Sequence, residues 1–185
     1  MSKNKGQKFE DVVRSAFEKV PGVSIDRVHD QTTRYKGSTN ICDFIVYREP
    51  YEYYFECKSV HGNTLSIYSI PKLGKDGKLQ GFYGNIRDNQ WEGLLEKSKI
   101  KGVRAGIICW WVDKDTTMFI DIRLLEELRK KGYKSIDYCA SFVFEDKDID
   151  NLPDMWGWIT GIKKRVYFDY DMGRLLNGLS YRETR

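Results

Sequence analysis

Three charged side chains sit inside two short apolar runs where a β-sheet alone gives them no purpose. Asp43 lies in Ile41-Cys42-Asp43-Phe44-Ile45-Val46, and Glu56 and Lys58 lie in Tyr53-Tyr54-Phe55-Glu56-Cys57-Lys58. Both runs are aromatic and β-branched, and Arg48-Glu49-Pro50-Tyr51-Glu52 between them has a turn composition, so the pattern predicts a β-hairpin. A hairpin symmetric about Glu49 and Pro50 sets Asp43 opposite Glu56, with Cβ atoms about 4.5–5.5 Å apart. Two carboxylates at that distance repel unless a cation lies between them. Strand alternation puts Lys58 on the Glu56 face. Facing acids with a lysine beside them suit a hard divalent ion and an activated water. Asp43 and Glu56 are the expected ligands of Mg2+ or Mn2+, with the backbone carbonyl of Cys57 a third. Lys58 cannot bind metal as an ammonium. Its expected work is to hold or deprotonate the attacking water, or to offset charge at phosphorus. The matching reaction is hydrolysis of a phosphodiester, leaving a 5′-phosphate and a 3′-hydroxyl.

The Glu-x-Lys pattern alone is weak in a chain with 31% charged residues. A second copy, Glu145-Asp146-Lys147, has no partner acid at matching register. It opens an acidic run with Asp148, Asp150 and Asp154 that would repel nucleic acid. The first copy is distinguished by the cost of pairing like charges across a hairpin.

At 185 residues the chain is expected to form a single domain, 1–185, with a substantial core. No apolar run reaches the roughly 18 residues of a membrane span, and the lysine-rich start has no following apolar segment. Four scattered cysteines (Cys42, Cys57, Cys109, Cys139) read as reduced, buried thiols, consistent with a cytoplasmic protein. Net charge is only +4, so the distribution matters more than the total. Basic clusters occur at Lys3, Lys5 and Lys8, at Lys72, Lys75 and Lys78, at Arg129 to Lys134, and at Lys163 to Arg165. Each is ordinarily a solvated face; together they permit phosphate contacts.

The elements that must position the site follow from periodicity. Phe9, Val12, Val13, Ala16, Phe17 and Val20 predict a helix over 7–20, ended by Pro21-Gly22. Strands are predicted at 23–28, in the hairpin at 41–58, and at 64–70. Residues 30–40 read as loop. The stretch 71–84, with Gly74, Gly77, Gly81 and Gly84, reads as a protruding flexible loop. Phe82 and Tyr83 within it could stack on bases or anchor the loop. A helix is expected over 86–100 with Ile86, Trp91, Leu94, Leu95 and Ile100 inward. Its Asp88 reads as the cap, and Glu92 and Glu96 as solvated. Val103 to Val112 reads as a strand buried on both faces, with Trp110 and Trp111 as core and rim. A strand at 118–122, a helix at about 122–131 capped by Asp121, and a strand at 165–170 complete the reading. This order predicts an α/β fold around one central mixed sheet.

Asp43 followed by Glu56-Cys57-Lys58 resembles the PD-(D/E)xK nuclease signature, and the helix-first order resembles that superfamily's restriction-endonuclease-like αβββαβ core. The resemblance implies that a helix-borne acid, here Glu10, can join the site. It narrows to the RecU-type Holliday junction resolvases. Lys5-Gly6-Gln7-Lys8-Phe9-Glu10, Ser38-Thr39-Asn40-Ile41-Cys42-Asp43 and Tyr54-Phe55-Glu56-Cys57-Lys58-Ser59 are similar to blocks of that family. So are Ile86-Arg87-Asp88-Asn89-Gln90, Gly132-Tyr133-Lys134-Ser135-Ile136 and Arg165-Val166-Tyr167-Phe168-Asp169. It implies a magnesium-dependent endonuclease acting on four-way DNA junctions in recombination and repair, working as a homodimer without a small-molecule cofactor. Gln90 is then expected to orient water or a phosphate. Asn89 stands where the family often has histidine. The family's projecting stalk is expected in 71–84 or in 30–40.

DNA contacts are expected from Lys3, Lys5, Arg34, Lys36, Lys72, Lys75, Lys78 and Arg87. His29 and His61 read as surface or hydrogen-bonded histidines. Leu175, Leu176 and Leu179 read as core rather than dimer surface. Two alternatives stay open: the same active site acting on duplex or flap DNA, and a non-catalytic DNA-binding accessory on a decayed nuclease fold.

Overall fold

The computed structural model describes residues 5–28, 40–68, 70–138, 156–159, 161–163 and 168–181. Helix α1 (Lys5–Phe17) precedes strand β1 (Ser24–Arg27), and β2 (Phe44–Arg48) and β3 (Tyr51–Val60) form the expected hairpin. Helix α2 (Asp88–Ser98) leads to β7 (Val103–Trp111), with the short pairs β4 (Thr64–Ser66) and β5/β6 (Ile70–Leu73, Leu79–Tyr83) in between. Then come β8 (Thr116–Asp121), α3 (Ile122–Lys130), β9 (Ser135–Asp137), β10 (Trp156–Trp158), β11 (Gly161–Lys163), β12 (Phe168–Tyr170) and α4 (Met172–Tyr181).

The main sheet has the order β1-β2-β3-β7-β8-β10. β3 and β7 are parallel, and the other neighbours are antiparallel. The order α1-β1-β2-β3-α2-β7 is therefore αβββαβ, a mixed sheet flanked by helices, as the sequence predicts. A parallel β3–β7 pair requires a crossover, and α2 lies within it. The two innermost strands carry consecutive buried residues on both faces because both faces are covered. On one side Trp91 and Leu94 of α2 and Leu124, Leu125 and Leu128 of α3 pack with Tyr54, Ile107 and Ile120. On the other, Phe9, Val13 and Phe17 of α1 and Leu176 of α4 pack with Phe44, Phe55 and Ile108.

Gly93 sets how closely α2 sits. A Cβ there would lie 2.2 Å from Ile41 Cγ2, so only glycine lets the helix rest on the chain two residues before Asp43. Asp121 caps α3 as predicted, its Oδ1 accepting the Arg123 N–H at 2.9 Å. Leu175, Leu176 and Leu179 are buried, and so are Cys42, Cys57 and Cys109.

Several expectations are corrected. The strand predicted at 64–70 is two: β4 pairs with β9, and Ile70 begins β5. The loop predicted at 71–84 is largely a hairpin, with Gly77 taking a positive φ in its turn. Four glycines signal turns, yet a glycine outside the turn still pairs through its backbone, as Gly81 does with Lys72. Ile100 is 53% exposed because α2 has ended at Ser98. Arg87, not Asp88, takes the N-cap conformation, and Asp88 is the first helical residue. Lys3, Arg34, Lys36, His29, Cys139 and the acidic run from Glu145 to Asp154 lie outside the described residues. Among the described residues no helix is long and apolar enough to cross a membrane.

Candidate active site

The hairpin register runs from Arg48↔Tyr51 to Phe44↔Phe55, symmetric about Glu49 and Pro50 as predicted. It then breaks. Asp43 donates its N–H to the Phe55 carbonyl at 3.0 Å, while its own carbonyl accepts the Val28 N–H at 2.9 Å. One residue thus bonds to strands on both sides, a local kink of the kind that re-aims a side chain. The Asp43 carboxylate is turned into the ladder, where Oδ2 accepts the Cys57 N–H at 2.7 Å. The predicted ladder pair of Asp43 with Glu56 is corrected accordingly: the backbone register ends at Phe44↔Phe55, although the two carboxyl groups still meet in space. The kink gives Asp43 a backbone donor instead.

The break leaves a notch beside β3, open to a cavity of about 340 Å³. Glu10, Arg27, Asp43, Glu56, Lys58, Arg87 and Gln90 are among its lining residues. Lys58 Nζ donates to Glu56 Oε1 at 2.7 Å and to Gln90 Oε1 at 3.1 Å, and Gln90 Nε2 donates to the same Glu56 oxygen at 2.6 Å. Gln90 Oε1 also accepts the Arg87 N–H at 3.2 Å, fixing the amide in the first turn of α2. The amide is thereby committed to Glu56 and Lys58, and its role in this arrangement is to hold those two side chains. Glu10 reaches the cavity from α1, where its Oε2 is bonded by Arg27 Nη2, and Arg27 Nη1 donates to Asp11 at 3.4 Å.

Electrostatics single out Glu56. It is 3% exposed, and burial pushes its carboxyl up to about 7, opposed by Lys58 and reinforced by the Asp43 charge. Burial also raises Asp43, opposed chiefly by the Cys57 N–H and Lys58. Glu10 is raised by burial and next by Asp43. The Cys57 thiol is pushed up by burial and then by Asp43, which disfavours its thiolate form.

Glu56 Oε2 is buried without a hydrogen-bond partner. A buried acceptor left bare next to a second acid is costly, and a cation would satisfy it. Among the described residues no three His, Cys, Asp or Glu side chains form a ready metal cluster. Magnesium does not require one, since it is commonly held by one or two carboxylates plus water and substrate phosphate. Asp43, Glu56 and the Cys57 carbonyl fit such an ion; Glu10 is engaged by Arg27.

The predicted site residues thus divide. Asp43, Glu56, Lys58, Gln90, Glu10 and Arg87 line one cavity, with Cys57 beside them. Lys75 and Lys78 are exposed in the β5–β6 hairpin, Lys72 lies in β5, and Lys5 opens α1. His61 is a surface residue bonded through Nδ1 to Asp113 at 2.9 Å. Four lining residues, Arg27, Val28, Asn40 and Cys42, escape sequence reasoning as members of the site. Arg27 shows there only as a charge in a strand, and Asn40 as part of a loop.

No family model and no curated protein matches the chain. Among solved structures, a similar chain is Archaeoglobus fulgidus Hjc, a Holliday junction resolvase from an archaeal hyperthermophile. It shares 18% identity, covering 75% of this chain and 93% of that one, with a TM-score of 0.47.

Proposed function

We propose that the chain is a Mg2+- or Mn2+-dependent DNA endonuclease of the PD-(D/E)xK type that resolves four-way junctions as a RecU-like homodimer. The observation that carries this reading is the bare, buried Glu56 Oε2 beside Asp43, with Lys58 bonded to the other oxygen of the same carboxylate. A purely structural ion pair has no use for a second, unsatisfied acid at its back.

Asp43, Glu56 and the Cys57 carbonyl would hold the ion, which supplies Lewis-acid polarisation of the scissile phosphate and a more acidic water. Lys58 stands at the mouth of that set and positions the nucleophilic water or meets charge developing on the phosphate oxygens. Gln90 keeps Lys58 and Glu56 in register. Arg87, exposed and lining the cavity, would contact the DNA backbone without reading bases. Two-fold symmetry of a four-way junction calls for two such sites, the reason to expect a dimer.

Labelled mobile four-way junction and linear duplex of the same sequence, incubated with the protein without metal, with magnesium and with manganese, test the reading. Paired, metal-dependent cuts near the branch point are expected on the junction. Equal cutting of duplex would move the substrate, and no cutting with either metal would remove the nuclease reading.

A further inference from the structure

We propose that Asn89, through Asn40, is a positioning residue for Asp43. This deepens the nuclease reading and rests on it for its catalytic consequence, but not for its structural content. The kink at Asp43 takes a ladder donor away from Val28. Antiparallel pairing would have the Asp43 N–H face Val28, yet that N–H goes to Phe55 instead. Asn40 Nδ2 donates to the Val28 carbonyl at 3.4 Å in its place. The backbone carbonyl of Asn40 in turn accepts from Asn89 Nδ2 at 3.2 Å.

A relay of hydrogen bonds therefore runs from the first turn of α2 to the candidate metal ligand. Asn89 holds Asn40, Asn40 holds Val28, and the Val28 N–H holds the Asp43 carbonyl while the Asp43 carboxylate takes the Cys57 N–H. Its neighbour Gln90 performs the matching task on the opposite side, bonding Glu56 and Lys58. Two successive residues of one helical turn thus set the two halves of the site. Gly93, one turn further on, lets the same helix pack closely on the Ile41 side chain, two residues before Asp43. The site geometry is tied to one rigid element rather than to the strand ends alone.

The test uses the full chain without metal, read by NMR amide hydrogen exchange. Asn89→Asp keeps the side-chain shape but removes the donor. The Asp43 and Cys57 amides are expected to exchange roughly tenfold faster or more, with Ile107 and Ile108 of β7 unchanged as internal controls. Asn40→Ala is expected to act alike, and the double variant to be no faster than either single one, as members of one relay require. Asn89→His, which keeps a side-chain N–H donor the same number of bonds from Cα, is expected to keep exchange slow. In manganese-supported cleavage, Asn89→Asp is expected to raise the half-saturating metal concentration severalfold while junction affinity without metal holds. Unchanged Asp43 and Cys57 exchange, equal acceleration at Ile107 and Ile108, or summed effects in the double variant would overturn the relay. A wild-type protein that takes up no metal would instead remove the nuclease reading, and the exchange measurement would still decide the relay.

Discussion

Gln90 donates to Glu56 Oε1 at 2.6 Å, so the buried carboxylate is held by a helix as well as by Lys58 of its own strand. The same amide's oxygen receives Lys58 at 3.1 Å. Removing the amide would leave Glu56 and Lys58 bonded to each other, with nothing fixing the pair against the cavity. Gln90→Ala is therefore expected to fold and to bind junction DNA, but to cut about a hundredfold more slowly, the scale of a small misplacement in an active site. Single-turnover cleavage with saturating protein measures this directly.

Glu56 makes stability and activity run in opposite directions with pH. Its folded-state value of about 7 lies above the ordinary 4.5, so folding favours the protonated form. That contribution is fully present below the ordinary carboxyl value and is lost as pH rises through about 7. On the scale of the shift it is worth on the order of 3 kcal/mol. Asp43 and Glu10 are raised as well and add in the same sense. Metal-free protein should melt at a lower temperature at about pH 8 than at about pH 5.5, and Glu56→Gln should flatten the difference. Binding a divalent ion requires the ionised carboxylate, so added magnesium should raise the melting temperature far more at the higher pH, and cleavage should climb through about pH 7. Thermal melts at the two pH values, with and without metal, check each limb.

Asp43 carries both a structural and a chemical duty, and Asp43→Asn separates them. An amide oxygen can still accept the Cys57 N–H, so the kink survives; the charge that would hold a divalent ion does not. Cleavage should fall below detection while junction affinity stays within about threefold, with melting temperature unchanged or higher, since a buried charge is removed. Equal loss of binding and cleavage in a gel-shift and cleavage series would count against a purely catalytic role.

The parts of this site legible in the sequence are those governed by strand alternation. Glu56 and Lys58 share a face because they are two residues apart, and the turn composition at Glu49 and Pro50 sets the register down to Phe44↔Phe55. What alternation cannot express is a departure from alternation. The Asp43 kink, and with it the roles of Val28 and Asn40, depends on a side chain replacing a backbone partner, which leaves no periodic trace. Glu10 is legible as a helix-borne acid, but its engagement by Arg27 joins residues 17 positions apart on different elements. The glycines of 71–84 read as flexibility, whereas backbone pairing is indifferent to the missing side chains.

The β5–β6 hairpin pairs with itself and joins no other sheet among the described residues, so deleting it should leave the core intact. Lys75 and Lys78 are exposed near its turn, and Leu73 is 63% exposed. A basic hairpin with an exposed apolar residue beside its turn would suit contact with an opened branch point. Neutralising Lys72, Lys75 and Lys78 together should reduce the slope of log affinity against log salt by about 0.9 for every phosphate those lysines engage. Replacing Leu73→Ser alone should leave that slope untouched. If the hairpin engages the junction centre, Leu73→Ser should lower cutting of junctions while sparing any residual cutting of duplex. Affinities measured from about 50 to 200 mM salt, beside cleavage of both substrates, separate the electrostatic from the apolar contribution. Unchanged slope and unchanged junction preference would place the branch-point contact elsewhere in the chain.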